Sequence, residues 1–220
     1  MHATSKILIV DDHPIFRKGL SQLLGEEKDL VVCGEAEDAF EAERLIAKLK
    51  PDLVIVDITL RDTSGLELLR HVRERYEDLP VLVLSMHDES IYAERVLRAG
   101  ARGYIMKQEM SGSVVQAVRQ VLAGKIFASQ AVVERMLGRL ASPAQGGGDD
   151  PVAALSDREL EVFRLVGRGC ARRQIASKLN VSVKTVGTYR DKIREKLGIG
   201  NSAELVRRAI DWAKREDREP

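Results

Sequence analysis

The chain has 220 residues, enough for one large domain or two small ones with substantial cores. It carries 35 basic and 34 acidic residues, of which 16 basic and 10 acidic lie from Val152 onward, leaving 19 and 24 before it. This asymmetry favours two domains, the second a candidate for nucleic-acid binding. Because no apolar run approaches the roughly 18 residues of a membrane span, and the N-terminus lacks the apolar core of a signal peptide, we expect a cytoplasmic protein without a membrane partner.

The two cysteines do not form a recognisable site. Cys33 and Cys170 match no metal-binding or redox spacing. Reduced, buried thiols are the simplest interpretation, and they agree with a cytoplasmic protein.

The first part of the chain alternates strand and helix patterns. The predicted strands are Lys6–Val10, Leu30–Cys33, Leu53–Asp57, Pro80–Leu84 and Gly103–Met106. The predicted helices are Pro14–Leu24, Ala39–Leu49, Gly65–Tyr76, Ser90–Ala99 and Ser113–Leu122. Five strand–helix repeats predict an α/β doubly wound, five-stranded parallel sheet, for which the flavodoxin-like strand order is the natural choice.

A boundary follows the last of these repeats. A weaker helical pattern covers Gln130–Leu140, and residues 141–150 offer no apolar side chain able to anchor them. Such a composition is typical of a flexible linker. We therefore expect one domain over residues 1–128, a linker helix and flexible linker over 129–150, and a second domain over 151–220.

The second part contains only helix signals. Ser156 and Glu159 predict a capping box that opens a helix ending near Gly169. The remaining predicted helices are Ala171–Leu179, a longer one capped by Ser182 and running to Leu197, and Ser202–Lys214. The tight connection over residues 180–182 predicts a helix-turn-helix within an all-α four-helix domain.

Polar residues follow the predicted strands at one edge of the sheet. They are Asp11, Asp12, Asp57, Ser85 and Lys107. Three carboxylates at this edge repel one another unless a cation lies among them, and oxygen ligands with an incomplete shell suit Mg²⁺ together with a substrate phosphate. A lysine and a hydroxyl opposite would neutralise and bind the phosphoryl oxygens. Asp57 is thereby placed to attack phosphorus and form an acyl phosphate.

Two ring-bearing side chains lie near these residues in the sequence. We expect His13 to start a helix rather than to act in catalysis. Tyr104, three residues before Lys107, is either an ordinary strand aromatic or a side chain that switches rotamer.

The third helix of the second part has the pattern of a recognition helix. Val186, Ile193 and Leu197 define its buried stripe. The candidate DNA-binding residues are Lys184, Thr185, Gly187, Thr188, Arg190, Asp191 and Lys192. In a major groove, Lys184, Gly187, Thr188 and Asp191 would face bases, whereas Arg190, Lys192 and Arg194 would face phosphates. The alternative is a solvated surface helix.

These motifs together resemble a known family. The "DDH" after the first strand, Asp57, Ser85 and "GYIMK" ending at Lys107 resemble the receiver domain of two-component response regulators. The segment "LSDRELEVFRLVGRG…IASKLNVSVKTVGTYRDKIREKLGI" resembles a LuxR-type helix-turn-helix. Both together resemble the NarL/FixJ family of transcriptional regulators.

The resemblance implies roles and partners. Asp57 would be the phosphoacceptor, Asp11, Asp12 and the Thr59 backbone would help to hold Mg²⁺, and Ser85 and Lys107 would sense the phosphoryl group. The implied partners are a cognate sensor histidine kinase, double-stranded DNA, a second copy of the chain when active, and the transcription machinery. Arg61 departs from the proline that is common in the family, and His87 and Thr59 flank the site where such proteins tune dephosphorylation.

Two other functions fit parts of the sequence. An aspartate nucleophile with Mg²⁺ also describes aspartyl phosphatases, but Thr59 stands where those enzymes need a second carboxylate. The basic domain is also compatible with an RNA-binding or protein-docking output module.

Overall fold

The structure, a computed structural model, describes residues 4–60, 65–86, 89–141, 151–179 and 181–216. The chain divides into two compact units, Met1–Pro143 and Ala144–Pro220. Within the described ranges, none of the helices combines the length and apolar character needed to cross a membrane.

The first unit is built on a five-stranded sheet. Its strands are β1 (Ser5–Val10), β2 (Leu30–Ala36), β3 (Leu53–Asp57), β4 (Val81–Ser85) and β5 (Gly103–Met106). All four neighbouring pairs are parallel, and the order is β2-β1-β3-β4-β5. This is the flavodoxin-like order, so the predicted fold class is confirmed.

Helices cover both faces of this sheet. They are α1 (Pro14–Gly25), α2 (Ala39–Leu49), α3 (Gly65–Arg75), α4 (Glu89–Arg98) and α5 (Met110–Leu122). Every residue of β3 and β4 is buried, as expected for central parallel strands with a helical layer on each side. Pro14 occupies the first turn of α1, where its missing N–H removes no helical hydrogen bond.

Strand β2 is three residues longer than its sequence pattern predicts. The prediction ended at Cys33 because Gly34 and Glu35 are poor strand formers. In the fold, the pairing shifts register between Ile7 and Leu8 and then continues to Ala36. A Cβ on Gly34 would lie 2.7 Å from Cδ1 of Leu49, so glycine lets α2 approach the strand closely.

The thiols differ in part from expectation. Cys33 and Cys170 are free, but both are partly exposed rather than buried. Cys33 lies on β2, which forms one edge of the sheet and is therefore less completely covered than the central strands.

The linker helix α6 (Gln130–Ala141) packs against α4 within the first unit. Val132 is fully buried there. Ser129 precedes the helix, and its Oγ donates to Oε1 of Glu89 at 2.7 Å. Of the predicted flexible linker, Ala141 is the last residue of α6, and residues 142–150 lie outside the described residues.

The second unit is helical. Its helices are α7 (Asp157–Gly167), α8 (Arg172–Lys178), α9 (Val183–Lys196) and α10 (Ser202–Glu216). The predicted capping box is present at Ser156 and Glu159. Gly198 has φ +62° just after α9, the left-handed conformation that ends a helix. The ring centroids of buried Phe163 and partly exposed Trp212 lie 5.7 Å apart. The predicted four-helix domain is therefore confirmed.

Candidate metal centre and nucleic-acid interface

Four of the predicted site residues lie at the carboxyl edge of the sheet. Asp11 directly follows β1, Asp57 ends β3, Ser85 ends β4, and Lys107 follows β5. All four are buried, with exposed fractions of 2%, 2%, 0% and 7%, respectively. Buried polar groups of this kind need partners, because an unpaired charge in the interior is costly.

Lys107 connects the two buried carboxylates. Its Nζ lies 2.7 Å from Oδ2 of Asp57 and 2.6 Å from Oδ2 of Asp11. The same Nζ lies 4.3 Å from the centre of the Phe16 ring, a favourable cation–π distance. Lys107 is therefore the counter-charge that two acidic side chains share.

The Asp57 carboxyl is strongly perturbed. Burial raises its pKa to about 6; the charge of Lys107 opposes this rise, and the charge of Asp11 adds to it. Hydrogen bonds from Lys107 and from the Thr59 N–H, the latter 3.1 Å from Oδ1, also stabilise the ionised form. The net result is a carboxylate that is incompletely neutralised by its surroundings.

The acidic side chains are grouped closely enough to hold one cation. One potential ligand atom from each of Asp11, Asp12, His13 and Asp57 lies within 4.8 Å of all the others. Carboxylate oxygens are hard ligands that suit Mg²⁺, and an incomplete oxygen shell leaves room for waters or a phosphate. Since Asp11 and Asp57 already share Lys107 and remain close to Asp12, a divalent cation would balance the remaining negative charge. The three carboxylates therefore fit Mg²⁺.

His13 contacts the acidic side chains, whereas the sequence predicted only that it would start a helix. Its Nδ1 lies 2.7 Å from Oδ1 of Asp12 and 3.2 Å from Oδ1 of Asp11. Its main-chain N–H also donates to Oδ1 of Asp11 at 2.9 Å. As predicted, His13 precedes the first residue of α1, and its side chain is mostly exposed.

Sequence reasoning missed Arg17. It lies on the buried face of α1 with Leu20 and Leu24, and its guanidinium donates to the main-chain oxygen of Asp11. A signal was present, since an arginine at an apolar position of an amphipathic helix needs a buried partner.

The two candidate switch residues are both buried. Ser85 is fully buried, and Tyr104 is 3% exposed on β5. The main-chain N–H of Tyr104 donates to the oxygen of Phe127 at 2.9 Å. Arg61 and His87, the predicted neighbours of the site, lie outside the described residues.

In the second unit, α9 has the predicted two faces. Val186 and Ile193 are fully buried, and Leu197 at its end is nearly so. Of the candidate DNA-binding residues, Lys184, Thr188, Asp191 and Lys192 are exposed, while Thr185, Gly187 and Arg190 are partly buried.

Two of these residues have local partners that the sequence did not indicate. The Thr185 hydroxyl lies 2.8 Å from Oγ of Ser182, and its N–H donates to the same oxygen at 3.0 Å, so Thr185 belongs to the helix cap. Oδ1 of Asp191 lies 3.3 Å from Nη2 of Arg194, one turn further along α9.

Arg190 is a partly buried cation beside other positive charges. Partial burial lowers its pKa, and the positive charges of Arg172 and Arg194 lower it further. Its Nε is buried without a hydrogen-bond partner in the described part of the chain. An arginine in such surroundings is well suited to an anionic partner such as a phosphate.

An ion pair anchors the end of α9. Oε2 of the buried Glu159 accepts from Nζ of Lys196 and from the N–H of Ser156, each at 2.7 Å. Burial raises the pKa of Glu159. The hydrogen bonds from Lys196 and Ser156, together with the Lys196 charge, lower this pKa by more than burial raises it, so it lies below the ordinary value. Glu159 therefore joins the start of α7 to the end of α9.

Comparisons with known proteins give matches in both units of the chain. Residues 7–119 match the response regulator receiver domain, and residues 153–209 match the bacterial regulatory proteins of the luxR family. The chain is 39% identical over 205 residues to the transcriptional activator protein ExaE of Pseudomonas putida, covering 93% of this chain and 95% of ExaE.

Two solved structures are similar over nearly the whole chain. RcsB from Salmonella enterica serovar Typhimurium, bound to promoter rprA in the presence of phosphomimetic BeF3⁻, is 27% identical with a TM-score of 0.58. A structure of two RcsB dimers bound to two parallel DNAs is also 27% identical, with a TM-score of 0.56. Each similarity covers 93% of this chain and 97% of the RcsB chain.

The relatives are transcriptional regulators, so the expectation that this chain is not an enzyme is confirmed and the phosphatase alternative is not supported. The resemblance found in the motifs extends to both domains. The chain belongs to the two-component response regulators of the NarL/FixJ type, which join a receiver domain to a LuxR-type DNA-binding domain.

Proposed function

We propose that Asp57 accepts a phosphoryl group in a Mg²⁺-dependent reaction and that this modification controls sequence-specific DNA binding by α9. The observation that carries the proposal is the buried Asp57–Lys107–Asp11 arrangement on the same chain as a helix-turn-helix. We also propose residues 1–128 as the receiver, 129–150 as the linker helix and flexible linker, and 151–220 as the DNA-binding domain.

In the proposed reaction, a carboxylate oxygen of Asp57 attacks phosphorus. A new O–P bond forms while the bond between phosphorus and the donor breaks, and the donor leaves with that electron pair. The donor is a phosphohistidine of the cognate sensor histidine kinase or a small acyl phosphate. Asp57 is itself consumed as the acceptor, so a single transfer completes the reaction.

Each neighbouring residue has a defined part in that step. Lys107 holds Oδ2 of Asp57 and supplies positive charge next to the phosphoryl oxygens, and the Thr59 N–H orients Oδ1. Asp11 and Asp12, with Asp57 and the Thr59 backbone, would hold Mg²⁺. When bound, Mg²⁺ would neutralise charge on the phosphoryl oxygens.

We further propose that Ser85 and Tyr104 transmit the effect of Asp57 phosphorylation to the surface of the first unit. Ser85 ends β4, beside the strand that carries Asp57, so its hydroxyl is the nearest candidate to bind a phosphoryl oxygen from that side. Movement of Ser85 would leave space for the buried Tyr104 ring to change rotamer. Helix α4, which packs on β5, would then shift and favour the dimer.

For DNA binding, we propose that Lys184, Gly187, Thr188 and Asp191 face base edges and that Arg190 and Lys192 bind phosphates. Thr185 supports the start of the helix through Ser182. RcsB, which was solved on promoter DNA and as dimers on DNA, supports duplex DNA as the partner and a homodimer as the active form. We expect the regulator to act on the transcription machinery from such sites.

The proposal is tested by phosphorylation followed by DNA binding. Incubation of the full chain with acetyl phosphate and Mg²⁺ should add one phosphoryl mass that hydroxylamine removes, and Asp57→Asn should abolish it. Mapping of bound duplex sites with and without acetyl phosphate should give tighter binding for the phosphorylated chain. Labelling of Asp57→Asn at the wild-type rate would place the acceptor elsewhere.

A further inference from the structure

Arg17 is a buried cation beside the acidic site. It is the fourth residue of α1, and only 8% of it is exposed. Arginine is rarely this buried unless its charge is paired. The contacts of the Arg17 guanidinium therefore indicate its role in the structure.

The guanidinium of Arg17 connects three elements. Nη1 donates to the main-chain oxygen of Asp11 at 2.5 Å, and Nη2 donates to Oε1 of Glu37 at 2.6 Å. Nε lies 3.5 Å from Oε2 of Glu35, which is on β2. The planar fork of arginine is suited to holding such partners in fixed directions.

The main chain of Asp11 is thus held on both sides. Its N–H donates to the oxygen of Ala36 at 3.1 Å, and its oxygen accepts from Arg17. The first bond attaches Asp11 directly to the end of β2, and the second attaches it to Arg17, which contacts Glu35 and Glu37 at the same end of β2. These two bonds therefore fix the backbone position of Asp11 and of Asp12, which follows it.

Arg17 differs from Lys107 in what it binds. Lys107 pairs with Oδ2 of Asp11 and with Oδ2 of Asp57, so it contacts the carboxylates that would hold a cation. Arg17 instead donates to the main-chain oxygen of Asp11 and does not occupy its carboxylate oxygens. Hydrogen bonds of this outer kind typically alter metal affinity 10- to 100-fold when they are removed.

We propose that Arg17 is a positioning residue for the divalent cation: it holds the Asp11–Asp12 backbone in the geometry that binds Mg²⁺, without contacting the cation. This inference rests on the proposed function of the acidic site. A purely structural role makes a different prediction, namely a loss of stability with unchanged Mg²⁺ affinity.

The test measures Mg²⁺ binding to the full chain by calorimetry, together with the Mg²⁺ dependence of phosphorylation by acetyl phosphate. Arg17→Met, which keeps an unbranched apolar stem, should weaken Mg²⁺ binding roughly tenfold. The phosphorylation rate at saturating Mg²⁺ should change less than twofold, because Asp57 and Lys107 are untouched.

Two further variants distinguish a positioning role of Arg17 from an effect of its positive charge alone. Arg44→Met removes an exposed arginine from α2 of the same unit and should bind Mg²⁺ as the wild type does. Arg17→Lys restores the charge but not the fork, and it should recover only part of the lost affinity. Full recovery by lysine, or an equal loss in Arg44→Met, would mean that net charge and not positioning is responsible, and would overturn the inference.

Folding is checked by thermal unfolding without Mg²⁺. If Arg17→Met does not fold, Glu37→Gln tests the inference instead. This variant weakens the hydrogen bond to Nη2 of Arg17 but keeps the arginine. We expect it to bind Mg²⁺ two- to threefold more weakly than the wild type. Wild-type affinity in every folded variant overturns this inference alone. Absence of Mg²⁺ binding by the wild-type chain overturns the proposed function, and this inference with it.

Discussion

Nζ of Lys107 lies 2.7 Å from Oδ2 of Asp57, although fifty residues separate them in the chain. Both side chains are almost completely buried, and Asp11 shares the same lysine. Replacement of Lys107 would therefore leave two buried carboxylates without their common cation. We expect Lys107→Met to raise the pKa of Asp57 above its value of about 6 in Mg²⁺-free buffer.

This change is measured by NMR titration of the Asp57 carboxyl carbon. Lys48→Met, at an exposed position of α2, is the matched control and should leave the titration unchanged. The same Lys107 variant should be phosphorylated more slowly by acetyl phosphate, because it lacks charge next to the phosphoryl oxygens. An unchanged Asp57 titration would show that the ion pair does not govern this carboxyl.

Asp57→Asn should stabilise the first unit at neutral pH without Mg²⁺. The folded pKa of about 6 lies above the ordinary 3.8, so the folded state binds more protons and loses stability as pH rises from about 4 through 6. Asparagine removes this loss, which corresponds to about 2 to 3 kcal/mol above pH 6. Below pH 4 the advantage should disappear.

Urea unfolding between pH 4 and 8, followed by far-ultraviolet circular dichroism, checks this prediction. Asp78→Asn removes an exposed carboxylate from the same unit and serves as the control. A destabilised Asp57→Asn protein at pH 7 would contradict the pKa direction.

Glu159→Gln should destabilise the second unit by about 1 to 3 kcal/mol at pH 7, because it removes a charge-assisted contact to Lys196. The pKa of Glu159 is lowered in the folded state, so its stabilisation is present above the ordinary value of 4.5 and is lost as pH falls through the folded value. Fluorescence of Trp212, which packs on Phe163, reports the unfolding of this unit. A double-mutant cycle with Lys196→Met should show coupling, and strict additivity would argue against the pair.

Lys192→Ala should weaken binding to all duplexes similarly. Lys192 is exposed on α9, and loss of one phosphate contact should reduce the slope of log affinity against log salt by roughly 0.9. Lys214→Ala, exposed on α10, provides a comparison with equal charge. If both variants reduce the slope equally, Lys192 contributes only general charge.

Asp191→Ala distinguishes two roles for this carboxylate. If Asp191 accepts from a base such as cytosine, the variant should change base preference at one position of the site. Its 3.3 Å contact with Arg194 indicates a competing role, in which the aspartate holds that arginine. Selection of binding sites from a random duplex library decides between them, since equal strengthening on all sequences would exclude base reading.

The sequence alone determined most of the architecture. Apolar, β-branched runs such as Leu53–Val56 indicated buried strands, and the alternation with helical periodicity indicated a parallel sheet. Parallel strands bring their carboxyl ends to one edge, so polar residues at these ends were predicted to converge, and Asp11, Asp57 and Lys107 do. The capping box at Ser156 was equally predictable, because capping depends on residues only three apart.

The tertiary structure decided which of these groups touch. Sequence did not show that Lys107 pairs with both Asp11 and Asp57, that Arg17 binds the Asp11 backbone, or that Lys196 reaches Glu159. Periodicity and propensity are set by neighbours within a few residues along the chain. Ion pairs between distant side chains depend instead on helix placement, burial and rotamer to within an ångström, because a buried charge is stable only where a partner meets it at hydrogen-bond distance.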